Sequence, residues 1–229
     1  MLTASEIAER LAIVRARIAD AARRSGRAEN SVTLVLASKT QPAEAIHAAY
    51  DAGARDFGEN YVQEAALKLA AVGKLDGARW HLIGHLQTNK AKLAVSIFDL
   101  IQSVDSGRLV SAIAKAYPAP PVRALIEVNL GAEATKTGVT PDSAEAVIEA
   151  ARDRVEIIGL MTIPPPGATP AASRRYFAQI RGMRDRLAAH SGLALSELSM
   201  GMTDDFEIAI EEGATMVRVG RAVFGERTR

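Results

Sequence analysis

The sequence contains no cysteine and its charge is almost balanced, and both features narrow the functions to consider. Disulfide bonds, thiolate metal sites and a cysteine nucleophile are excluded, and the chain suits a reducing compartment. The 28 basic and 27 acidic residues provide no strongly basic surface for the phosphates of a nucleic acid. Residues 1–27 form a charged amphipathic pattern, without the apolar segment of a signal peptide or membrane span. We therefore expect a cytoplasmic protein that binds neither nucleic acid nor membranes.

Short apolar runs alternate with helix-like segments along most of the 229 residues. The eight runs are residues 32–39, 56–60, 80–85, 100–104, 123–130, 155–163, 195–202 and 215–220. Apolar strands separated by helices indicate a parallel sheet that is covered on both faces. An open doubly wound sheet could hold eight strands, but a closed (β/α)8 barrel of the TIM type matches the count and the length. We predict one domain over residues 1–229, a (β/α)8 barrel with an extra N-terminal helix.

A lysine stands at the end of the first predicted strand, in the stretch "LVLASKTQP" (residues 34–42). The C-terminal ends of the strands form the ligand-binding mouth of such a barrel, so Lys39 is expected there. Partial burial disfavours a charged ammonium, and the neutral amine is the nucleophile that forms a Schiff base with an aldehyde. A solvated charge at the end of the strand is the alternative interpretation of Lys39.

The last two predicted strands are followed by loops suited to an anion. The stretch "RVGRAVFG" (218–225) places Gly220 and Arg221 where backbone N–H groups at a helix start can bind phosphate. The stretch "LSMGMTDDF" (198–206) adds the hydroxyl of Ser199 and, at Gly201, a backbone position open to close approach. Two such loops on neighbouring strands predict a phosphate site.

Arg218 is expected to point into the barrel from the eighth strand. A ligand role and a buried salt bridge with Glu127 or Asp205 are equally good interpretations. Together with Lys39 and the phosphate loops, Arg218 describes a site for a ligand with an aldehyde at one end and a phosphate at the other. Pyridoxal phosphate has both groups, and so does a sugar phosphate in a Schiff-base aldolase, so the residues leave both open.

Seven segments, in order from the first strand to the last, carry a resemblance to a known family. They are "ASKTQP" (37–42), "FGENYVQEA" (57–65), "WHLIGHLQTNK" (80–90), "VNLGAEATKTGV" (128–139), "GLMTIP" (159–164), "LSMGMTDDFEIAI" (198–210) and "GATMVRVGRAVFG" (213–225). With these segments the chain resembles the pyridoxal phosphate homeostasis proteins. The resemblance implies a barrel like the N-terminal barrel of alanine racemase, and a protein that stores, buffers or delivers pyridoxal phosphate inside the cell.

The resemblance also implies roles for six of the seven predicted cofactor-binding residues, all but Gly201. Lys39 would carry the cofactor as a Schiff base, Arg218 would face the pyridine nitrogen, and Asn60 would lie beside the cofactor. Ser199 and the two backbone amides of the last loop would hold the phosphate. One departure from the family pattern is Thr203, which stands where a serine is common.

An arginine beside the pyridine nitrogen argues against most catalysis by this cofactor. A guanidinium, whose pKa exceeds roughly 12, keeps its proton, so the ring nitrogen stays unprotonated and the ring is a poor electron sink. We therefore predict that the protein has no catalytic residue and is not an enzyme. We also predict no metal site. The expected partners are pyridoxal phosphate and enzymes that depend on it, and the chain is expected to be a monomer.

A weak amino-acid racemase is the alternative, because racemisation needs little delocalisation into the ring. It does need acid–base groups on both faces of the substrate carbon, and Lys39 could be one of them. The resemblance implies that racemases take the other, a tyrosine, from a further C-terminal domain. The tyrosines of this chain are expected in helices away from the mouth, except Tyr61, which is expected to pack in the first turn of its helix. We expect the second group to be missing.

Overall fold

Eight parallel strands close into a barrel in the computed structural model, which describes residues 2–117, 121–131, 137–165 and 167–226. The strands are β1 (Thr33–Ala37), β2 (Asp56–Glu59), β3 (Arg79–Leu82), β4 (Leu100–Val104), β5 (Val122–Val128), β6 (Val155–Thr162), β7 (Glu197–Ser199) and β8 (Met216–Val219). Each strand pairs with its neighbours in chain order, and β8 pairs with β1 to close the sheet. The predicted (β/α)8 barrel is confirmed.

Helices follow the strands and cover the outside of the barrel. They are α1 (Ala4–Arg24), α2 (Ala43–Asp51), α3 (Val62–Val72), α4 (Ala91–Ile97), α5 (Gly107–Ala116), α6 (Ala144–Ala151), α7 (Pro170–Ser191), α8 (Phe206–Glu211) and α9 (Arg221–Phe224). Two short 3₁₀ turns, Thr88–Lys90 and Pro141–Ser143, precede α4 and α6. No helix within the described ranges is long and apolar enough to cross a membrane.

The extra N-terminal helix α1 begins at a capping box. The Thr3 hydroxyl accepts from the backbone N–H of Glu6, and the Glu6 carboxylate accepts from the backbone N–H of Thr3. Apolar residues at helical spacing, among them Ile7 and Leu11, are buried on one side. This side packs across α2, α8 and α9, so α1 covers the seam between the first and last units of the barrel.

The strands divide the core into two layers because successive side chains point to opposite faces of the sheet. The outer layer lies between strands and helices, and its fully buried side chains include Leu36, Phe57 and Ile101. The inner layer fills the barrel. Its apolar part is a cluster of five buried residues, Leu100, Leu125, Ile158, Met161 and Met216.

Glycines in the left-handed conformation follow two of the helices. Gly53 and Gly213 follow the last residues of α2 and α8 with φ of +88° and +99°, a left-handed conformation in which a side chain is strained. Each returns the chain to the next strand. The connections from α2 to β2 and from α8 to β8 are therefore short. Because all eight strands are parallel, their C-terminal ends lie around one mouth.

Candidate functional site

Four of the seven predicted site residues line one cavity of about 570 Å³ at the C-terminal ends of β1 and β8. They are Lys39, Arg218, Gly220 and Arg221. We call this space the mouth cavity; its lining also includes Ala37, Gln41, Met202, Thr203, Asp204 and Phe224. Its volume is in the range of small-molecule sites.

Lys39 is half-buried, two residues beyond the end of β1. Its neighbour Ser38 is fixed from the outer side of the sheet, because its hydroxyl donates to Glu59 Oε1 at 2.7 Å and its carbonyl accepts from Lys68 Nζ at 2.7 Å. The next residue, Thr40, has a φ of +65°, which is uncommon and strained for a β-branched residue. Backbone strain beside a strand end fixed in this way is typical of a functional position.

Arg218 lies at the buried floor of the mouth cavity, and its side chain is held on two sides. Nη1 donates to Ser199 Oγ at 2.6 Å and Nη2 donates to the carbonyl oxygen of Thr162 at 2.8 Å. The residue is only 4% exposed, and burial lowers the pKa of its guanidinium to about 10, so the group stays charged at neutral pH. Glu127 and Asp205 act on this charge through space and oppose that shift.

Ser199 has partners inside the barrel, and its predicted phosphate role stays a prediction. Ser199 is fully buried, accepts from Arg218 and donates to Gln102 Oε1 at 2.6 Å, so its hydroxyl is committed inside the barrel. It is the last residue of β7 and lies one layer below the mouth. The hydroxyl that lines the mouth cavity from this connection is that of Thr203.

Gly201 is approached closely, but by helix α8 and not by the mouth cavity. It has a φ of +92°, and a Cβ there would lie 2.6 Å from Ala209 Cβ and 2.9 Å from Phe206 Cα. The loop that follows is closed by Asp205, whose Oδ1 accepts from the backbone N–H of Met202 at 2.7 Å. Gly201 therefore shapes the loop that carries Thr203.

The β8 connection brings a backbone turn to the cavity wall. Gly220 precedes α9, and a Cβ at this position would lie 3.0 Å from the carbonyl oxygen of Ala37. The Arg221 side chain turns to the surface, where it forms ion pairs with Asp204 and Glu226. What Arg221 offers the cavity interior is consequently its backbone N–H, as the sequence analysis supposes.

Asn60 follows β2 but is not among the residues that line the mouth cavity. Its backbone lies against Gly84, where a Cβ would come within 2.3 Å of the Asn60 carbonyl oxygen. The side-chain Oδ1 is buried without a hydrogen-bond partner among the described residues. A buried acceptor without a partner costs free energy, which is a reason to look for a function there.

Two carboxylates and a histidine surround the opposite side of the mouth. Glu127 accepts from the Thr137 hydroxyl at 2.7 Å, and burial raises the pKa of its carboxyl. His85 Nδ1 lies 3.2 Å from Asp105 Oδ2 at the surface. Glu127 was predicted only as a salt-bridge partner, whereas its burial at the end of β5 and its raised pKa make it a candidate acid.

The tyrosines differ from the sequence prediction at two positions. Tyr61 caps α3 and is 64% exposed, so it does not pack in the first turn. Tyr176, on α7, is expected far from the mouth, but its hydroxyl lies 3.0 Å from Thr162 Oγ1 and donates to the Ile163 carbonyl at 3.3 Å. The 22-residue α7 thus returns over the end of β6.

The chain is similar in sequence to proteins of a known family. The family model described as "Alanine racemase, N-terminal domain" matches residues 10–228. A pyridoxal phosphate homeostasis protein of Aquifex aeolicus is 47% identical over 223 residues, which cover 96% of this chain and 97% of that protein. The chain belongs to the family of pyridoxal phosphate homeostasis proteins.

Two solved structures place this member of the pyridoxal phosphate homeostasis family among its structural relatives. PipY of Synechococcus elongatus PCC7942, solved with PLP bound, superposes with a TM-score of 0.85 at 40% identity and covers 96% of this chain and 100% of its own. The alanine racemase of Corynebacterium glutamicum has a TM-score of 0.71 at 19% identity and shares the fold. This chain spans 62% of the racemase chain.

Sequence reasoning missed two residues of this family member that the structure brings to the site. Thr203 is noted only as a departure from the family pattern, although a hydroxyl in a loop after a strand end is itself a signal for an anion site. Gln102 is overlooked in "LIQSV", where an amide in a fully buried strand signals a polar partner inside the barrel.

Proposed function

We propose that the protein binds pyridoxal phosphate in the mouth cavity as a Schiff base on Lys39 and stores, buffers or delivers it inside the cell. The observation that carries this proposal is the cavity itself, which joins the side chains of Lys39 and Arg218 to the Gly220 turn. An amine, a guanidinium and exposed backbone N–H groups are the donors that an aldehyde, a pyridine nitrogen and a phosphate require.

The donor set suggests one orientation for the cofactor. The aldehyde would meet Lys39, the ring nitrogen would face Arg218, and the phosphate would lie at the backbone of Gly220 and Arg221 with the Thr203 hydroxyl. Gly220 suits this arrangement because it has no side chain, and a Cβ there would lie only 3.0 Å from the carbonyl oxygen of Ala37. Asn60 would lie beside the ring, where a small movement of its side chain would let the buried Oδ1 accept a hydrogen bond.

A carrier fits Arg218 better than an enzyme does. Bound pyridoxal phosphate supplies an aldehyde that condenses with amines and a ring that accepts electrons well when its nitrogen is protonated. Arg218 has only N–H donors and a pKa of about 10, so it would donate a hydrogen bond to that nitrogen and keep its own proton. The residue thereby holds the ring without activating it.

A weak racemase is the second candidate, and Glu127 is the observation in its favour. Burial raises the pKa of its carboxyl and the nearby charge of Asp105 adds to this effect, while Thr137 and Arg218 oppose it, and a carboxyl with a raised pKa can give a proton. Release of the opposite enantiomer from an L-amino acid, lost in both Lys39→Ala and Glu127→Gln, would establish this second function.

Titration of the protein with pyridoxal phosphate, followed by visible absorption, tests the proposed binding. The wild-type protein should develop a Schiff-base band, and Lys39→Ala should not. Lys92→Ala, on the exposed side of α4, is the matched control and should titrate as the wild type does. A band of equal intensity in Lys39→Ala would reject the assignment of this lysine.

We further propose that the protein acts as a cytoplasmic monomer, as one domain over residues 1–229, and that it supplies the cofactor to enzymes that depend on it. The position of half-buried Lys39 just beyond the end of β1 supports this, since a cofactor bound at the rim of a barrel lies close to solvent. Transfer is measured by mixing the loaded protein with an apo-enzyme and following the recovery of its activity, with size-exclusion chromatography as the measure of oligomeric state.

A further inference from the structure

A continuous chain of side-chain hydrogen bonds crosses the inside of the barrel from Arg218 to Asp56. Arg218 Nη1 and Ser199 Oγ are 2.6 Å apart, and Ser199 Oγ and Gln102 Oε1 are 2.6 Å apart. Gln102 Nε2 lies 2.9 Å from His81 Nδ1, and His81 Nε2 lies 3.0 Å from Asp56 Oδ1. All five residues are buried, from 0% to 7% exposed. We call these residues the polar chain.

The polar chain reaches solvent at its far end through Arg79. The Asp56 carboxylate accepts from Arg79 Nε at 2.7 Å and from Nη2 at 2.8 Å, and the Arg79 side chain is more than half exposed. Burial alone would raise the pKa of Asp56, but the hydrogen bonds from His81 and Arg79 outweigh burial and lower it. The end of the chain is thus a carboxylate that stays ionised.

The two ends fix the direction of every hydrogen bond between them. A guanidinium only donates and an ionised carboxylate only accepts, so Ser199 must accept from Arg218 and must give its own proton to Gln102. The Gln102 amide then presents its NH₂ to His81, whose Nδ1 must accept. The remaining proton of His81 lies on Nε2 and points to Asp56. One arrangement of protons satisfies all five side chains.

This arrangement cannot be reversed locally. If the Gln102 amide turned over, its NH₂ would face Ser199, which already accepts from Arg218, and the serine proton would lose its acceptor. A buried hydroxyl without an acceptor is costly, so each link keeps the next in place. The Thr162 carbonyl holds one side of the Arg218 guanidinium directly, and the other side is held through Ser199 by groups several hydrogen bonds away.

We propose that Gln102 and His81 are positioning residues for the cofactor: through Ser199 they hold Arg218 as a donor aimed at the ring nitrogen of bound pyridoxal phosphate. This inference rests on the proposed function. It assigns a cofactor role to residues of β3 and β4 that lie below the mouth cavity.

The test compares the absorption spectrum of the bound cofactor in Gln102→Met with that in the wild type. Methionine has a similar shape but cannot continue the chain, so Ser199 and Arg218 lose their support. Since hydrogen bonds to the ring nitrogen tune the cofactor, we expect a shifted absorption maximum and an affinity about tenfold weaker. Ser199→Ala, one link closer to Arg218, should shift the spectrum further.

Leu125→Ala is the matched control, because Leu125 is equally buried inside the barrel but makes no side-chain hydrogen bond. It should lower the melting temperature and leave the spectrum unchanged. An unshifted spectrum in Gln102→Met, or an equal shift in Leu125→Ala, would overturn the inference while the proposed function stands. A wild-type protein that binds no pyridoxal phosphate would overturn both.

A second measurement needs no variant. In ¹⁵N spectra of the cofactor-free protein, His81 should carry its proton on Nε2 and none on Nδ1, with His85, at the surface, as the internal reference. A proton on Nδ1 of His81 would contradict the direction of the polar chain and overturn the inference, even if every variant failed to fold.

Discussion

The two layers of the barrel core use their buried space differently. Outside the strands, Leu36, Phe57 and Ile101 pack against helices in a layer that is almost wholly apolar. Inside the strands, the polar chain lies beside the apolar cluster around Leu125. Apolar burial is non-directional and stabilises the fold, whereas a hydrogen-bonded chain fixes orientations. The outer layer therefore chiefly stabilises the fold, and the inner layer fixes the geometry of the site.

One polar group in the outer layer departs from this division, and its position explains it. Lys68 Nζ and Ser38 Oγ each lie 2.7 Å from Glu59 Oε1, between the sheet and α3. Because Ser38 precedes Lys39, this group fixes the strand end that presents the amine. The Glu59 group in the outer layer and the polar chain in the inner layer thus each support a residue of the site.

The largest effect is expected from removing a fully buried aromatic ring of the outer layer. Phe57 is fully buried and its ring stacks on Trp80 at 5.2 Å between centroids. Phe57→Ala should lower the free energy of unfolding by about 4 kcal/mol. Urea denaturation measures this change, and the fraction that remains folded should bind pyridoxal phosphate with an unchanged spectrum. An altered spectrum would show that packing in the outer layer also sets the geometry of the site, and would contradict the distinction between the layers.

Lys68→Met tests the polar group of the outer layer. It leaves the buried carboxylate of Glu59 without its cation, so stability should fall by about 3 kcal/mol. Unlike Phe57→Ala, this change should also slow Schiff-base formation, since Ser38 loses its support. Lys92→Met, on an exposed helix surface, is the control for both measurements, and equal behaviour of the two variants would contradict this account.

Asp56→Asn tests the far end of the polar chain through the pH dependence of stability. The folded pKa of Asp56 is lowered, so its contribution is present above the unfolded value of about 3.8 and is lost as pH falls through the folded value. At pH 7 the variant should be less stable by about 2 kcal/mol. Thermal melts from pH 7 to pH 2 should show the difference shrinking at acid pH; a constant difference would count against an ionised Asp56.

The smallest expected effect is at the rim of the mouth cavity. If the Thr203 hydroxyl donates to the phosphate, Thr203→Ala should weaken pyridoxal phosphate binding about fivefold and leave the melting temperature of the cofactor-free protein unchanged. Ser111→Ala, on α5, removes a surface hydroxyl far from the mouth and serves as the control. Isothermal titration compares the two, and equal affinities would remove Thr203 from the proposed phosphate site.

The sequence predicted the barrel and the positions of Lys39 and Arg218 because both depend on local pattern. Apolar runs fix the strands, and the (β/α)8 architecture brings their C-terminal ends together. The partners of Ser199 inside the barrel were not predicted, because they depend on β7 ending at that residue. Strand ends that differ by one or two residues decide such cases, and sequence patterns do not resolve them.

Residues whose roles depend on distant partners escaped prediction. Gln102 has no motif of its own, and its partners lie on strands that are far apart in the sequence. Tyr176 was placed away from the mouth because the path of α7 over β6 is a matter of tertiary packing. Contacts of this kind appear only when the closed sheet is built.

The most direct test of the account is borohydride reduction of the protein loaded with pyridoxal phosphate, followed by peptide mass mapping. The account predicts that the yellow colour is lost and that the mass of the reduced cofactor appears on the peptide that contains Lys39. Its appearance on another lysine alone, or on none, would contradict the central claim that β1 holds the amine that binds the cofactor.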